Sequence, residues 1–346
     1  MKRVLVIVFL LGISLPLTVQ LSTRHKLTEI PSLTTGWQFP QKFAAYYGKN
    51  FGLRAELLRV HAHAMYRLLR QSPSDKVLIG KDDWLYYADD SSLEDFRSLE
   101  PYQVSEMEVW RQVLETRQDW LAKRGSKMIT VFACDKYVIY PEYMPAGYRR
   151  KAARYRVEEL AEYLQRANLT IVPLHQPLRA GKTDRLYHRT DTHWNDRGAY
   201  IGYREILAAM KLRPLDYMPV EQQTPGWDLA RLMGLADILR EEDRQLTRVR
   251  RAKIVEIDRE DPTWNVGRVA LEVDDPALPK LVMFRDSFGS ALVSFLAEHF
   301  RRSLFLWQHD FDPAIIENEK PDYVVWEITS RRCHSAWFRP ANPPLP

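Results

Sequence analysis

The chain predicts an α/β domain: a mostly parallel sheet with helices on both faces. Three observations carry this. Strand-length apolar runs alternate with amphipathic helical stretches from residue 104 to residue 328. The runs at 127–133 and 281–284 are apolar almost throughout, as strands buried on both faces are. The chain has 346 residues, 45% of them hydrophobic, which is enough for a full core in one large domain.

The elements follow in order. Lys2 and Arg3 precede an apolar run over 4–21, the pattern of an export signal. No small-x-small cleavage site follows, so an uncleaved signal-anchor is expected, with a cleaved signal peptide as the alternative. Either reading exports the rest of the chain. Residues 23–39 read as a polar tether, and 43–69 as helix with a break at 48–52. Together 23–75 form a tether and juxtamembrane helical segment. Residues 77–80 and 84–87 read as two short strands around a Lys81-Asp82-Asp83 turn.

Helices are expected over 104–123, 155–167, 196–210, 287–300 and 313–319. Strands are expected over 127–133, 169–174, 253–257, 266–273, 281–284, 304–307 and 323–328. Asn195 is placed to cap the helix from Asp196. The catalytic domain is expected over 76–335, with a proline-rich tail over 336–346.

Charge narrows the partners. The net charge of +5 is spread among 45 acidic residues with no long basic run, which gives nucleic-acid binding no footprint. A polyanionic partner, such as an acidic polysaccharide or a membrane surface, fits at least as well. The two cysteines, Cys134 and Cys333, are too few for a disulfide framework; a single bond and two buried thiols both remain open. His61 and His63, two apart on a helix, share no face and do not form a metal site. Most of the ten tryptophans are expected in the core, with some available as sugar platforms.

Two segments carry chemistry. In Phe284-Arg285-Asp286-Ser287-Phe288-Gly289 a strand ends and a serine enters the turn before a helix. Its hydroxyl would lie at the carboxyl edge of the sheet, where ligands bind in open α/β folds. In Asp191-Thr192-His193-Trp194-Asn195 a histidine precedes a helix, with a carboxylate two residues earlier. In an extended segment residues two apart project to one side, so Asp191 can fix the His193 tautomer. A histidine oriented in this way activates a serine by taking its proton. For each segment alone, helix capping is the competing explanation.

These residues resemble the SGNH-hydrolase-like domain of the alginate O-acetyltransferase family, the AlgX/AlgJ-like proteins. Further segments support the resemblance: Gly80-Lys81-Asp82-Asp83-Trp84-Leu85-Tyr86-Tyr87, Phe51-Gly52-Leu53-Arg54, and Lys136 with Tyr140-Pro141-Glu142. The aspartate and histidine precede the serine, which resembles the permuted order of the acetyltransferase group. The resemblance implies a three-layer, flavodoxin-like SGNH fold behind an N-terminal membrane anchor. It implies Ser287 as nucleophile, His193 as base and Asp191 as orienter. Arg285, Lys136, Tyr140, Asn195 and Arg331 are candidates for substrate or oxyanion contact. Arg285 stands where many SGNH enzymes have glycine, so its side chain either narrows the oxyanion site or contacts substrate.

The activity implied is transfer of an acetyl group, through an acyl-serine, to hydroxyls of an exported polysaccharide. No metal or bound cofactor is expected. The acetyl group would originate in acetyl-CoA and arrive through a polytopic membrane-bound O-acyltransferase. The expected location is periplasmic, anchored in the inner membrane by residues 4–21. A carbohydrate esterase with the same triad and a non-catalytic polysaccharide-binding subunit are the alternatives.

Overall fold

A computed structural model of the chain describes residues 2–23, 31–224, 226–247, 251–261 and 263–333. Residues 24–30 of the expected tether and the proline-rich stretch 336–346 lie outside the described residues. Two compact units are present, Met1–Pro73 and Ser74–Pro346.

The first unit contains helices Lys2–Thr23, Phe39–Asn50 and Arg54–Leu69. Within the first helix, Arg3–Gln20 has a mean hydropathy of 2.0 and is long and apolar enough to cross a membrane, a test that a signal sequence also passes. The expected break falls between the second and third helices. There Gly52 sits so close to the first helix that a Cβ would lie 2.3 Å from the Pro16 carbonyl oxygen. Only glycine permits that approach.

The second unit begins with the hairpin β1 (Val77–Ile79) and β2 (Leu85–Tyr87). β3 (Lys127–Ala133) and β4 (Ile171–Pro173) follow, then a second hairpin of β5 (Met218–Thr224) and β6 (Glu241–Thr247). The remaining strands are β7 (Lys253–Ile257), β8 (Arg268–Glu272), β9 (Lys280–Arg285), β10 (Arg302–Trp307) and β11 (Tyr323–Thr329). The main sheet has the order β4-β3-β11-β9-β10-β8-β7.

Its first five strands are parallel. Helices Arg156–Gln165, Ser290–Leu296 and Pro313–Glu319 lie in the crossovers between them. β8 pairs antiparallel with β10 on one side and with β7 on the other, so the sheet is mixed rather than mostly parallel throughout. The link from β7 to β8 is too short for a crossover helix, which forces the reversal. β7 is the edge strand, and its Ile254 and Val255 are exposed while Lys253 and Glu256 flank them. Charges on an edge strand oppose unwanted strand pairing.

The core lies between sheet and helices. Phe132, Phe284, Phe305 and Trp326 from four central strands are fully buried. Two expectations need correcting. The helix expected over 287–300 runs only from Ser290 to Leu296, followed by a 3-10 turn, because Ser287 sits in a bend before it. The β5–β6 hairpin was not predicted, because stretches such as Glu221-Gln222-Gln223 and Glu241-Glu242-Asp243 lack strand-like alternation.

Candidate active site

The carboxyl ends of β3, β11 and β9, neighbours in the sheet, deliver Lys136, Arg331 and Ser287 to one edge. Beyond β9 the chain turns sharply. The Asp286 carboxylate accepts the Phe288 N–H at 2.8 Å and the Thr329 N–H, at the end of β11, at 2.9 Å. The Asp286 N–H donates to the buried Glu327 carboxyl at 3.0 Å. These bonds leave Ser287 at the apex. A Cβ at position 289 would fall 2.7 Å from the Arg285 Cβ and 3.0 Å from the Glu327 carboxyl, so the turn requires Gly289. The N–H groups of Ser287 and Gly289 donate to no acceptor among the described residues.

Facing Ser287 is the loop between β4 and the helix Asp196–Met210. The His193 Nε2 lies 2.7 Å from the Ser287 Oγ. Its Nδ1 lies 2.6 Å from the Asp191 Oδ1, which also accepts the His193 backbone N–H at 2.9 Å. The segment is bent rather than extended. Asp191 reaches the ring by folding back onto the backbone two residues on, as turn aspartates do. The Trp194 Nε1 donates to the Phe288 carbonyl at 3.1 Å, tying the two segments together.

Electrostatics favour a charged pair on the loop. Burial opposes ionisation of Asp191, but the His193 charge and hydrogen bonds outweigh it and hold the carboxyl well below its usual range. Burial likewise opposes the imidazolium of His193. Asp191, with a smaller contribution from Asp228, nevertheless raises its pKa above the ordinary imidazole value.

Asp228 escaped sequence reasoning. Its Oδ2 lies 3.9 Å from the His193 Nδ1, and it accepts the Thr192 N–H and hydroxyl, each at 2.9 Å. Burial and then the Asp191 charge push it up to about 6. Asp191, His193 and Asp228 bring metal-ligand atoms within 4.8 Å of one another. The His193 Nδ1, the atom nearest both carboxylates, is already engaged with Asp191 and cannot serve an ion at the same time.

The remaining candidates occupy distinct places. Lys136 is buried, and its Nζ donates to the carbonyls of His188 (3.0 Å), Arg189 (3.1 Å) and Asp191 (2.6 Å). Burial lowers its pKa to about 8. Lys136 therefore grips the loop rather than lining the site. Asn195 caps its helix by accepting the Arg197 and Gly198 N–H groups, each at 3.1 Å. Arg331 is buried and paired with Asp135 through Nη1, with Asp90 at 3.4 Å from its Nε. The Tyr140 hydroxyl accepts the Leu186 N–H at 3.0 Å, and the ring lines a separate cavity.

Arg285 corrects the expectation of an oxyanion or substrate contact. It is fully buried, and its guanidinium donates to the carbonyls of Trp264 (2.7 Å), Val266 (3.0 Å) and Asp286 (3.1 Å) and to the Ser290 hydroxyl (2.9 Å). These bonds anchor the carbonyl of Trp264, which has a left-handed φ of 60°, a strained state for a bulky residue. The cause lies in a contact between residues far apart in sequence, which no local pattern announces. Cys134 and Cys333 are separate buried thiols.

A cavity of about 680 Å³ opens over Ser287 and His193, and Trp227, Trp264 and Trp307 line it. Trp84, Trp110, Trp120, Trp194 and Trp326 are in the core.

The model of the family described as "SGNH hydrolase-like domain, acetyltransferase AlgX" matches residues 77–266, more than half of the chain. That span holds Asp191 and His193 and stops short of Ser287. A stretch of 162 residues is 28% identical to the probable alginate O-acetylase AlgJ of Pseudomonas syringae pv. tomato, covering 46% of this chain and 39% of that protein. The chain thus spans well under half the length of that relative. The fold is similar to that of Bacillus cereus PatB1 (TM-score 0.56, 15% identity, 76% of this chain and 98% of that one). It is also similar to that of a DHHW family protein from Eubacterium siraeum DSM 15702 (TM-score 0.52, 15% identity, 64% of this chain and 84% of that one). With the edge of the sheet, the Asp-x-His loop and the family match all in view, the chain belongs to the AlgX/AlgJ-like family of SGNH hydrolase-like domains.

Proposed function

We propose that the protein is a serine-dependent O-acetyltransferase acting on an exported polysaccharide. The observation that carries this is the unbroken Asp191–His193–Ser287 chain, with links of 2.6 and 2.7 Å, at the floor of an open cavity. In the first half-reaction the Ser287 Oγ attacks the acetyl carbonyl of a donor ester while the His193 Nε2 takes its proton. As the donor C–O bond breaks, the imidazolium returns that proton to the departing oxygen, leaving acetyl-Ser287. In the second, a sugar hydroxyl gives its proton to His193 and attacks the acetyl carbon. The Ser287 Oγ leaves and is reprotonated. The unengaged amides of Ser287 and Gly289 are the candidate oxyanion donors.

The apolar helix Lys2–Thr23 supports membrane anchoring and a periplasmic location for the rest of the chain. On this reading the donor arrives through a polytopic membrane-bound O-acyltransferase that draws on acetyl-CoA. Residues 76–335 make up the catalytic domain.

The test is to incubate the protein with a chromogenic acetyl ester, quench, and weigh the peptide containing Ser287. An acetyl adduct is expected, with adduct and turnover both lost in Ser287→Ala. Adding polysaccharide should then move acetyl groups to the polymer. Release of free acetate alone would reassign the enzyme to ester hydrolysis, and Ser287→Ala that still turns over would end the proposal.

A further inference from the structure

Outside the unit that carries the triad, one helix exposes a leucine-rich face. In the helix Arg54–Leu69, Leu57, Leu58, Val60, Leu68 and Leu69 are exposed, Leu68 at 79%. Scattered apolar side chains are ordinary on a protein surface, but a continuous row marks a contact. At about 3.6 residues per turn, Leu57, His61, Ala64 and Leu68 form one row, and Leu58, Met65 and Leu69 form the row beside it. Glu56, Arg59, His63 and Arg67 lie on the opposite side. Ala62 and Tyr66, between the two sides, are the buried residues, so the leucine rows are not the face by which this helix packs within its unit.

Charge and position indicate what covers those rows. Residues 54–70 hold four arginines, Arg54, Arg59, Arg67 and Arg70, all exposed, against one acid, Glu56. Leucine rows backed by arginines suit an anionic lipid surface, where an amphipathic helix buries its apolar face at the boundary of headgroups and acyl chains.

The turn leading into this helix abuts the far end of the first helix. A Cβ at Gly52 would stand 2.3 Å from the Pro16 carbonyl oxygen and 2.8 Å from the Gln20 nitrogen. Gln20 ends the stretch Arg3–Gln20, which is long and apolar enough to cross a membrane. The amphipathic helix therefore begins at the level where that stretch would leave a bilayer. Trp37, upstream in the same unit, is 85% exposed, and tryptophan concentrates at membrane interfaces.

We propose that the helix Arg54–Leu69 lies in the surface of an anionic phospholipid bilayer, with its leucine rows at the acyl boundary and its arginines among the phosphates. The proposal rests on the anchoring reading above and extends it: a second, surface-bound element holds the chain at the membrane.

The test uses the full chain in vesicles of phosphatidylethanolamine and phosphatidylglycerol. Spin labels are attached one at a time through Leu58→Cys and Leu68→Cys on the leucine rows, and through Glu56→Cys and Arg67→Cys opposite them. The unsubstituted chain, whose two thiols are buried, supplies the background. Collision with oxygen, which enters lipid, is compared with collision with a nickel chelate, which stays in water. The Leu58 and Leu68 labels should lie roughly 5–10 Å below the phosphates, and the Glu56 and Arg67 labels at or above them. With phosphatidylcholine in place of phosphatidylglycerol, the leucine-row labels should move towards water. Melting temperatures report whether each labelled chain is folded; should Leu58→Cys fail to fold, Leu68→Cys decides.

Every label in water would overturn the proposal. So would leucine-row labels shielded from both reagents, which would put a protein on that face, a second copy of this chain or another membrane protein. Equal depth in the two lipid mixtures would also overturn it, since the arginines would then contribute nothing. An alkaline wash, which strips surface-bound proteins and leaves spanning ones, separates this proposal from the anchor. Labels in lipid on a chain that alkali strips would retain the surface helix and remove the anchor. A chain that resists alkali with its labels in water would do the reverse.

Discussion

Ser287 and His193 meet at 2.7 Å, yet different parts of the fold hold them. Ser287 stands at the end of a central strand. Its turn is tied by neutral backbone amides to Asp286 and by the Asp286 N–H to Glu327. His193 stands on a loop with no strand beneath it. That loop is gripped by buried or half-buried charges: Lys136 on three carbonyls, Glu241 on the Arg189 and Thr190 amides, and Asp228 on Thr192. Buried or half-buried charges brace both segments, Asp286 and Arg285 around Ser287 and Lys136, Glu241 and Asp228 around His193, but at His193 the carboxylates stand directly against a titrating ring. The base side should therefore be the one that responds to pH and to single charge changes.

The largest effect is expected from Asp191→Asn. The variant retains the shape but loses the negative charge that fixes the tautomer, so kcat for a small ester should fall by roughly 10³–10⁴-fold. A fall of less than tenfold would show that the base is oriented some other way. Lys136→Met should come next. Three carbonyls, one buried and two partly buried, lose their donor, so the unit should lose about 2–4 kcal/mol in denaturant unfolding and turnover should fall with it. Unchanged stability and turnover would mean that the loop holds itself.

The acid limb of turnover comes third. On the proposed mechanism His193 must be neutral to take the proton, and Asp191 raises its pKa. Turnover should therefore drop, as pH falls, at a value above the ~6.5 of a free imidazole. In Asp228→Asn the limb should move to lower pH with the plateau nearly unchanged, because a negative charge beside Nδ1 has gone. A shift to higher pH would contradict the assigned sign.

The smallest effect belongs to the strand side. Burial, and then the Asp286 charge, hold Glu327 well above the usual carboxyl range. Its folded pKa exceeds its unfolded one, so the folded state retains a proton that the unfolded chain releases, and stability declines as pH rises above about 4.3. Glu327→Gln should flatten that decline in melting curves taken across neutral pH. An unchanged slope would mean that Glu327 is already ionised in the folded state.

Local pattern made most of this fold legible. The strand at 127–133 and the helices at 196–210 and 313–319 lie where apolar periodicity puts them, because each buries a face against the sheet. The juxtaposed Asp191, His193 and Ser287 were also readable, since each segment sits at a strand or helix boundary. What stayed hidden was the bracing. Asp228 and Glu241 act on a loop 36 and 51 residues away, and Arg285 acts on the carbonyls of Trp264 and Val266. Such contacts join irregular segments, where neither spacing nor propensity records a partner. The reversal of β8 was hidden for a related reason: a strand's pattern reveals its burial, not its direction.

The place of β11 has a consequence for how the molecule comes to exist. The last strand of the sheet in chain order lies between β3 and β9, near its middle. As the chain emerges amino-terminus first, β3 is made long before β11, the strand that joins it to β9. Until β11 arrives, β3 and β9 each have an unpaired edge and an uncovered apolar face, the state most prone to pair with a wrong strand. Insertion of β11 joins segments some two hundred residues apart, so it is slow to find its place and completes the platform all at once. The same insertion brings Thr329 to Asp286, so the turn that presents Ser287 is set only when the sheet is finished.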